Sequence, residues 1–155
     1  MPSWSELEAE APELAQLARA YLDARVHKTL ATLRRDGSPR ISGIEGRFAE
    51  GELWLGMMPG SRKALDLRRD PRFALHGGTV DPPDWTGDAK LAGRVEEITD
   101  PELIARINSP APPGPSHLFR ADILELSVVR LGDPPDHLVI DSWHAGRGVQ
   151  RLERT

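Results

Sequence analysis

The chain has 155 residues, a net charge of −4 and no cysteine. This length fits one globular domain with a sizeable core. The absence of cysteine excludes disulfides, thiolate nucleophiles, thiolate zinc sites and iron–sulfur clusters, so redox chemistry would need an added cofactor. The negative charge gives no overall attraction for nucleic acid, and no apolar stretch reaches the ~18–20 residues that cross a bilayer. We therefore expect a cytoplasmic protein that binds neither nucleic acid nor membrane.

The N-terminal region has a helical pattern. Ser5 and Glu8 have the spacing of a capping box. Apolar residues then recur at helical intervals, namely Leu14, Leu17, Ala18, Tyr21 and Leu22. We predict a helix over about residues 12–25, with Pro12 in its first turn, where a missing N–H costs nothing.

The next stretch predicts three hairpin-linked strands, at 28–34, 40–48 and 52–57, because β-forming residues alternate there between turn signals. The second strand contains Gly43 and Gly46. Glycine inside a strand marks a bulge or the close approach of a ligand or backbone, and simple curvature is an equally good explanation.

After a helix that ends near residue 69, the pattern predicts strands at 73–76, 88–98, 119–131 and 138–143. A short helix at about 101–107 and a proline-rich connector at 109–115 lie between them. The total is about seven strands and three helices. We predict a mainly β protein with a few short helices, built as a mostly antiparallel sheet or barrel.

The sequence Gly60-Ser61-Arg62-Lys63 lies between a predicted strand and the following helix. Cations at a helix N-terminus oppose the helix dipole and cost roughly 0.3–1 kcal/mol each, unless an anion compensates. A serine hydroxyl, free N–H groups, a guanidinium and an ammonium at one point would suit a phosphate. An ordinary serine cap with two solvated cations is almost as good an explanation.

Other patterns indicate less. Arg68 and Arg69 are best explained as complements of the dipole at the C-terminus of the same helix. The five histidines never pair at i, i+4 and have no clustered carboxylates, so we expect no metal site. No residue is assigned as catalytic.

Four short motifs resemble the pyridoxamine 5′-phosphate oxidase-like superfamily of flavin-binding split barrels. They are Leu30-Ala31-Thr32-Leu33, Asp36-Gly37-Ser38-Pro39, Gly60-Ser61-Arg62-Lys63-Ala64 and Asp70-Pro71-Arg72. The resemblance covers about residues 26–76. It implies a single split-barrel domain over 1–155, with about six to seven strands in a barrel at about 26–145.

The resemblance also implies a cofactor site. Ser61, Arg62 and Lys63 correspond to the segment that holds the flavin phosphate, and Arg47 to a second basic position that helps at the phosphate end. Two positions depart from the family pattern, because Ser42 replaces an arginine and Met57 replaces a hydroxyl residue. Relatives of this shape bind FMN, the deazaflavin coenzyme or haem.

The resemblance further implies a homodimer with cofactor sites at the subunit interface. Residues 141–148 look like a tail that closes the site, where Trp143 would stack near the ring and His144 or Arg147 would reach substrate or phosphate. Core packing is the stronger explanation for Trp143, and exposure to solvent for His144 and Arg147.

The expected function is that of a flavin-dependent oxidoreductase that transfers hydride to or from a small organic substrate. The alternatives are a non-catalytic protein that sequesters a flavin or haem, and a structural or interaction domain. The longer C-terminal segment of true pyridoxamine-phosphate oxidases has no counterpart here, so that specific activity is not predicted.

Overall fold

The computed structural model of the protein describes residues 2–108 and 116–155. These residues form four helices and nine strands. In chain order they are α1 (Trp4–Glu10), α2 (Pro12–Asp23), β1 (Lys28–Leu33), β2 (Pro39–Ile44), β3 (Arg47–Ala49), β4 (Glu52–Met57), α3 (Arg62–Arg69), β5 (Arg72–His76), β6 (Gly87–Ile98), α4 (Pro101–Ile107), β7 (His117–Leu131), β8 (Leu138–His144) and β9 (Gly148–Arg154). The mainly β class is confirmed, but the expected counts of strands and helices were too low. The predicted connector at 109–115 lies outside the described residues.

All nine strands belong to one antiparallel sheet with the order β2-β1-β5-β6-β7-β4-β3, and β8 and β9 extend it from β7. The sheet divides at β7, a strand of 15 residues that pairs with β6 on one side. On its other side the beginning of β7 pairs with β4 and the end pairs with β8. This fork leaves the barrel open, which confirms a split-barrel fold.

The N-terminus contains a helix that we did not predict. The capping box is formed by Ser3, the N-cap of α1, and Glu6 in its first turn, and not by Ser5 and Glu8. Ser5 lies inside α1 and donates its hydroxyl hydrogen bond to the backbone oxygen of Gly51 at 2.5 Å. The prediction for the second helix is confirmed to within two residues, with Pro12 in its first turn. Both helices bury their apolar stripes against the sheet, in one cluster with Trp4, Leu22 and Leu30.

The predicted second strand is two strands, β2 and β3, because the chain bends at Glu45 and Gly46. Gly46 has φ +46°, a left-handed conformation that favours glycine. The ammonium of the buried Lys28 holds the bend by donating to the backbone oxygens of Glu45 at 2.9 Å and Gly46 at 3.4 Å. Burial lowers the pKa of Lys28. Gly46 therefore marks a change of strand direction.

The C-terminal stretch forms a β-hairpin, and its expected role in closing the site stays a prediction. Residues 141–148 are the end of β8, a turn and the first residue of β9, and β9 pairs with β8 along its whole length. The residues on both faces of β9 are exposed, except for the half-buried Gly148 at its start. No helix in residues 2–108 and 116–155 is long and apolar enough to cross a membrane.

Candidate cofactor-phosphate site

The turn from β4 into α3 presents unpartnered polar groups at a helix N-terminus. Gly60 has φ +69°, which turns the chain so that Ser61 becomes the N-cap of α3. Ser61 makes no side-chain capping bond, and its Oγ is buried without a hydrogen-bond partner among the described residues. A buried hydroxyl left unpaired costs about 1–3 kcal/mol. The ordinary serine cap is therefore not what forms here, and a ligand oxygen would satisfy the hydroxyl.

Two cations accompany this hydroxyl. Arg62 is exposed, and its side chain has no ion pair or hydrogen bond within residues 2–108 and 116–155. Lys63 is half-buried, and its Nζ lies 3.4 Å from the backbone oxygen of Gly43 on β2. The first turn of α3 contains no acidic residue. The positive end of the helix dipole and both cations thus lack a protein counter-charge, as a phosphate site requires.

The contact with Gly43 brings Ser42 into the same neighbourhood, because Ser42 precedes Gly43 on β2, half-buried and paired with Leu30. Met57 lies at the end of β4 but is only 5% exposed and belongs to the hydrophobic core. Its side chain therefore offers this site no polar group. A phosphate role for Ser42 stays a prediction.

The remaining predicted residues lie on other elements. Arg47 is exposed on β3, beyond the bend at Gly46, and pairs with Trp54. Trp143 is fully buried in the core, in agreement with the core-packing explanation. Arg147 is exposed in the turn between β8 and β9, where its N–H donates to the oxygen of His144 at 3.0 Å. Among the described residues, no hydrogen bond or ion pair joins Trp143 or Arg147 to the turn before α3.

A histidine that we did not predict fixes this turn. The N–H of Gly60 donates to Nε2 of His117, the first residue of β7, at 3.1 Å. Since Nε2 accepts, Nδ1 carries the ring proton in neutral His117 and faces Glu97 Oε1 at 3.5 Å. Arg68 binds the same carboxylate with both Nε and a terminal nitrogen, at 2.9 and 2.7 Å. Arg68 first, and then His117, lower the pKa of Glu97. Arg68 therefore interacts favourably with the negative C-terminal end of the α3 dipole, and its bonds to Glu97 also anchor the helix to β6.

Replacing His117 by leucine should destabilise the protein by about 1 kcal/mol, because the Gly60 N–H loses its acceptor. For a chain of this size that loss lowers the melting temperature by roughly 2–4 °C in thermal denaturation. His117→Gln is the matched control, since its amide oxygen can accept the same bond and should restore most of the loss. Equal melting temperatures for the leucine and glutamine variants would show that packing, and not the Gly60 bond, is what His117 contributes.

Apart from the turn before α3, a cleft lies on the outer face of the sheet, which we call the outer cleft. Solvent-side residues of β1, β2, β5, β6, β7 and β8 line it. Its volume is about 530 Å³. Small side chains such as Ala31, Ala74 and Ala92 line it, together with Ile41, which is 75% exposed. His144 lies at this cleft, with its Nε2 3.6 Å from Glu125 Oε2. The lining of the cleft is largely apolar with a few polar groups, which suits a flat ring or a second protein surface.

In the part of the chain that the structure describes, no three histidine, aspartate or glutamate side chains form a group that could hold a metal ion.

Comparison with known proteins places this geometry in a family. The sequence profile of the family described as pyridoxamine 5′-phosphate oxidase matches residues 14–130, which is most of the chain. The chain belongs to this family. The match includes the turn before α3, the strand β6 that contains Glu97, and nearly all of β7, which begins at His117. No curated protein matches the chain.

Solved structures of similar fold include three informative examples. PhzG from Burkholderia lata, in complex with tetrahydrophenazine-1-carboxylic acid, has a TM-score of 0.63 and 13% identity, and the match covers 99% of this chain and 96% of that one. An FMN-binding protein from Syntrophomonas wolfei has a TM-score of 0.62 and 17% identity, covering 81% of this chain and 92% of that one. A pyridoxamine 5′-phosphate oxidase-related, FMN-binding protein from Nostoc punctiforme has a TM-score of 0.61 and 16% identity, covering 100% and 98%. At these identities the likeness establishes the fold.

Proposed function

We propose that this protein is an FMN-dependent oxidoreductase that holds the cofactor phosphate at the N-terminus of α3, within one domain that acts in the cytoplasm. The observation that carries the proposal is the buried, unpartnered Oγ of Ser61 next to two cations that have no carboxylate partner. The residues present fit a phosphate ester, since Ser61 supplies a hydroxyl and Arg62 a planar guanidinium. FMN-binding proteins among the structures of similar fold support the same cofactor.

Each residue has a distinct task in this proposal. Ser61 and the first N–H groups of α3 donate to phosphate oxygens, while Arg62 and Lys63 neutralise the charge. His117 keeps the turn in place through Gly60. The bound flavin, or a deazaflavin in its place, supplies hydride transfer to or from a small organic substrate, and the protein supplies orientation and a water-excluding surface.

A visible absorption spectrum of the purified protein tests the proposal, followed by mass spectrometry of whatever denaturation releases. We expect the bands of a flavin and the mass of FMN. Protein that is colourless, and that binds neither added FMN nor a deazaflavin, would refute it.

A second candidate function is the non-catalytic storage of a flavin or haem. Met57 supports a cofactor other than FMN, such as haem, because a core methionine replaces the hydroxyl group expected at the end of β4. A Soret band in the spectrum would identify haem. Reduction of bound flavin by a nicotinamide or deazaflavin donor, followed by reoxidation with an organic acceptor, would exclude storage.

We also propose that the protein is a homodimer whose outer cleft faces the partner subunit, with the cofactor sites at the subunit interface as the family resemblance implies. The exposed Ile41 and the alanines around it support this arrangement, because an exposed apolar face is typical of subunit interfaces.

Ile41→Asp should convert the dimer to a monomer, since a carboxylate buried in an apolar interface costs several kcal/mol. Light scattering after gel filtration measures the mass directly. Val149→Asp is the control, because Val149 is also exposed but lies on β9 outside this cleft. A wild type that elutes as a monomer, or an Ile41 variant that remains dimeric, would contradict the proposed interface.

A further inference from the structure

A strongly basic cleft lies between α3 and the turn that joins β1 to β2. Its volume is about 780 Å³, and six of its nine lining residues are arginines. They are Arg34, Arg35, Arg40, Arg62, Arg68 and Arg69. Only two lining residues, Asp36 and Asp66, are acidic. The chain as a whole has a net charge of −4, so this concentration of positive charge is local. Such a surface attracts anions.

A buried carboxylate organises two of these arginines. Asp66 is 3% exposed and accepts hydrogen bonds from Arg40 Nε at 2.7 Å and from a terminal nitrogen of Arg69 at 3.0 Å. The hydroxyl of Thr32 donates to it at 2.8 Å. Burial acts to raise the pKa of Asp66, but the hydrogen bonds from Arg40, Thr32 and Arg69 outweigh it and lower the pKa. Asp66 therefore stays ionised and holds both guanidiniums in fixed positions before any ligand arrives.

Positive charge in the cleft exceeds what the protein itself neutralises. Arg35 is exposed, and its side chain has no ion pair or hydrogen bond within the described part of the chain. Arg34 donates to the backbone oxygen of Pro39 at 2.9 Å, which fixes its position without neutralising its charge. The second acid, Asp36, accepts bonds from the N–H and the hydroxyl of Ser38, at 2.9 and 2.6 Å. Several guanidiniums thus retain donors for an external anion.

We propose that this cleft binds a small anion that carries at least two phosphate or carboxylate groups. Guanidinium groups bind both with two parallel hydrogen bonds, and a volume of this size accommodates a small molecule. No aromatic side chain lines the cleft, so it lacks the stacking surface that single-stranded nucleic acid requires. Arg62 follows Ser61 directly, so the cleft opens beside the cofactor-phosphate site, but the proposal does not depend on that cofactor.

Isothermal titration calorimetry on the full chain, at constant ionic strength, tests the site with two ligand pairs. Tripolyphosphate is compared with orthophosphate, and citrate with acetate. We expect at least one multivalent ligand to bind about tenfold or more tightly than its simple counterpart, and that pair identifies the accepted anion. Arg34→Gln/Arg35→Gln should weaken its binding by about tenfold or more. Arg25→Gln/Arg154→Gln changes the net charge equally, away from the cleft, and should have an effect of less than about twofold.

Three results would overturn the proposal. The first is that neither multivalent ligand exceeds its simple counterpart, and the second is that the control weakens binding as much as Arg34→Gln/Arg35→Gln does. The third is an affinity for short oligonucleotides that rises with their length and exceeds that of the small anions, which would indicate a nucleic-acid surface. FMN affinity is measured on the same variants and should not change, so failure of the cofactor proposal and failure of this one give different results.

Discussion

Arg62→Gln/Lys63→Gln should weaken FMN binding by about 10²–10⁴-fold, since a charged hydrogen bond to an anion is worth about 1.5–3 kcal/mol and both are lost. Fluorescence quenching of the flavin on titration with protein measures the dissociation constant. Without ligand, the variant should unfold at the same temperature as the wild type or higher, because the two cations oppose the dipole of α3. Weaker FMN binding together with equal or higher stability is the result expected if Arg62 and Lys63 serve binding and not folding.

Riboflavin is the matched ligand control, because it has the same ring as FMN and no phosphate. The wild type and the variant should bind riboflavin equally. If both ligands lose affinity in parallel, then Arg62 and Lys63 act on the ring or on the fold, and the assignment of the phosphate to α3 is wrong.

Asp66→Asn should lower the free energy of unfolding at neutral pH by about 2–3 kcal/mol, because Arg40 and Arg69 lose the carboxylate that neutralises both. Urea denaturation measures the loss. The pKa of Asp66 is lower in the folded than in the unfolded protein, so its contribution is complete above the usual Asp pKa of about 3.9 and is lost as the pH falls below it. The difference between wild type and variant should therefore shrink in acid.

Asp70→Asn is the control for the charge change, since Asp70 follows α3 directly and pairs with the exposed Arg72 at the surface. Surface pairs of this kind contribute little. A comparable loss of stability in both variants, or a difference at Asp66 that persists unchanged in strong acid, would show that the ionised Asp66 does not have the role described here.

The features that the sequence predicted are those encoded by neighbouring residues. The turn at Gly60 and the start of α3 after Ser61 follow from adjacent residues, while phosphate binding at residues 60–63 stays a prediction. The start of α2 at Pro12 and the end of α3 before Pro71 are equally local. Pattern reasoning succeeds where a single stretch of chain contains the whole signal.

The features that the sequence did not predict depend on distant residues or on weak patterns. Thr32 and Asp66 are 34 positions apart, and Gly60 and His117 are 57 apart, so no spacing rule connects them. The strand β9 has exposed residues on both faces and therefore lacks the alternation that identifies a strand. The helix α1 has only seven residues, too few to establish a helical period.

The length of β7 has a mechanical consequence for the two ends of the molecule. Its first residue, His117, holds the turn before α3, and its later residues Glu125 and Ser127 line the outer cleft, about 30 Å further along the strand. A shift of β7 by one residue would turn both sets of side chains to the opposite face. The register of β7 against β6 thus sets the geometry of both the turn before α3 and the outer cleft. Backbone amides of β7 that lie between two neighbouring strands should exchange with solvent only when the whole domain unfolds.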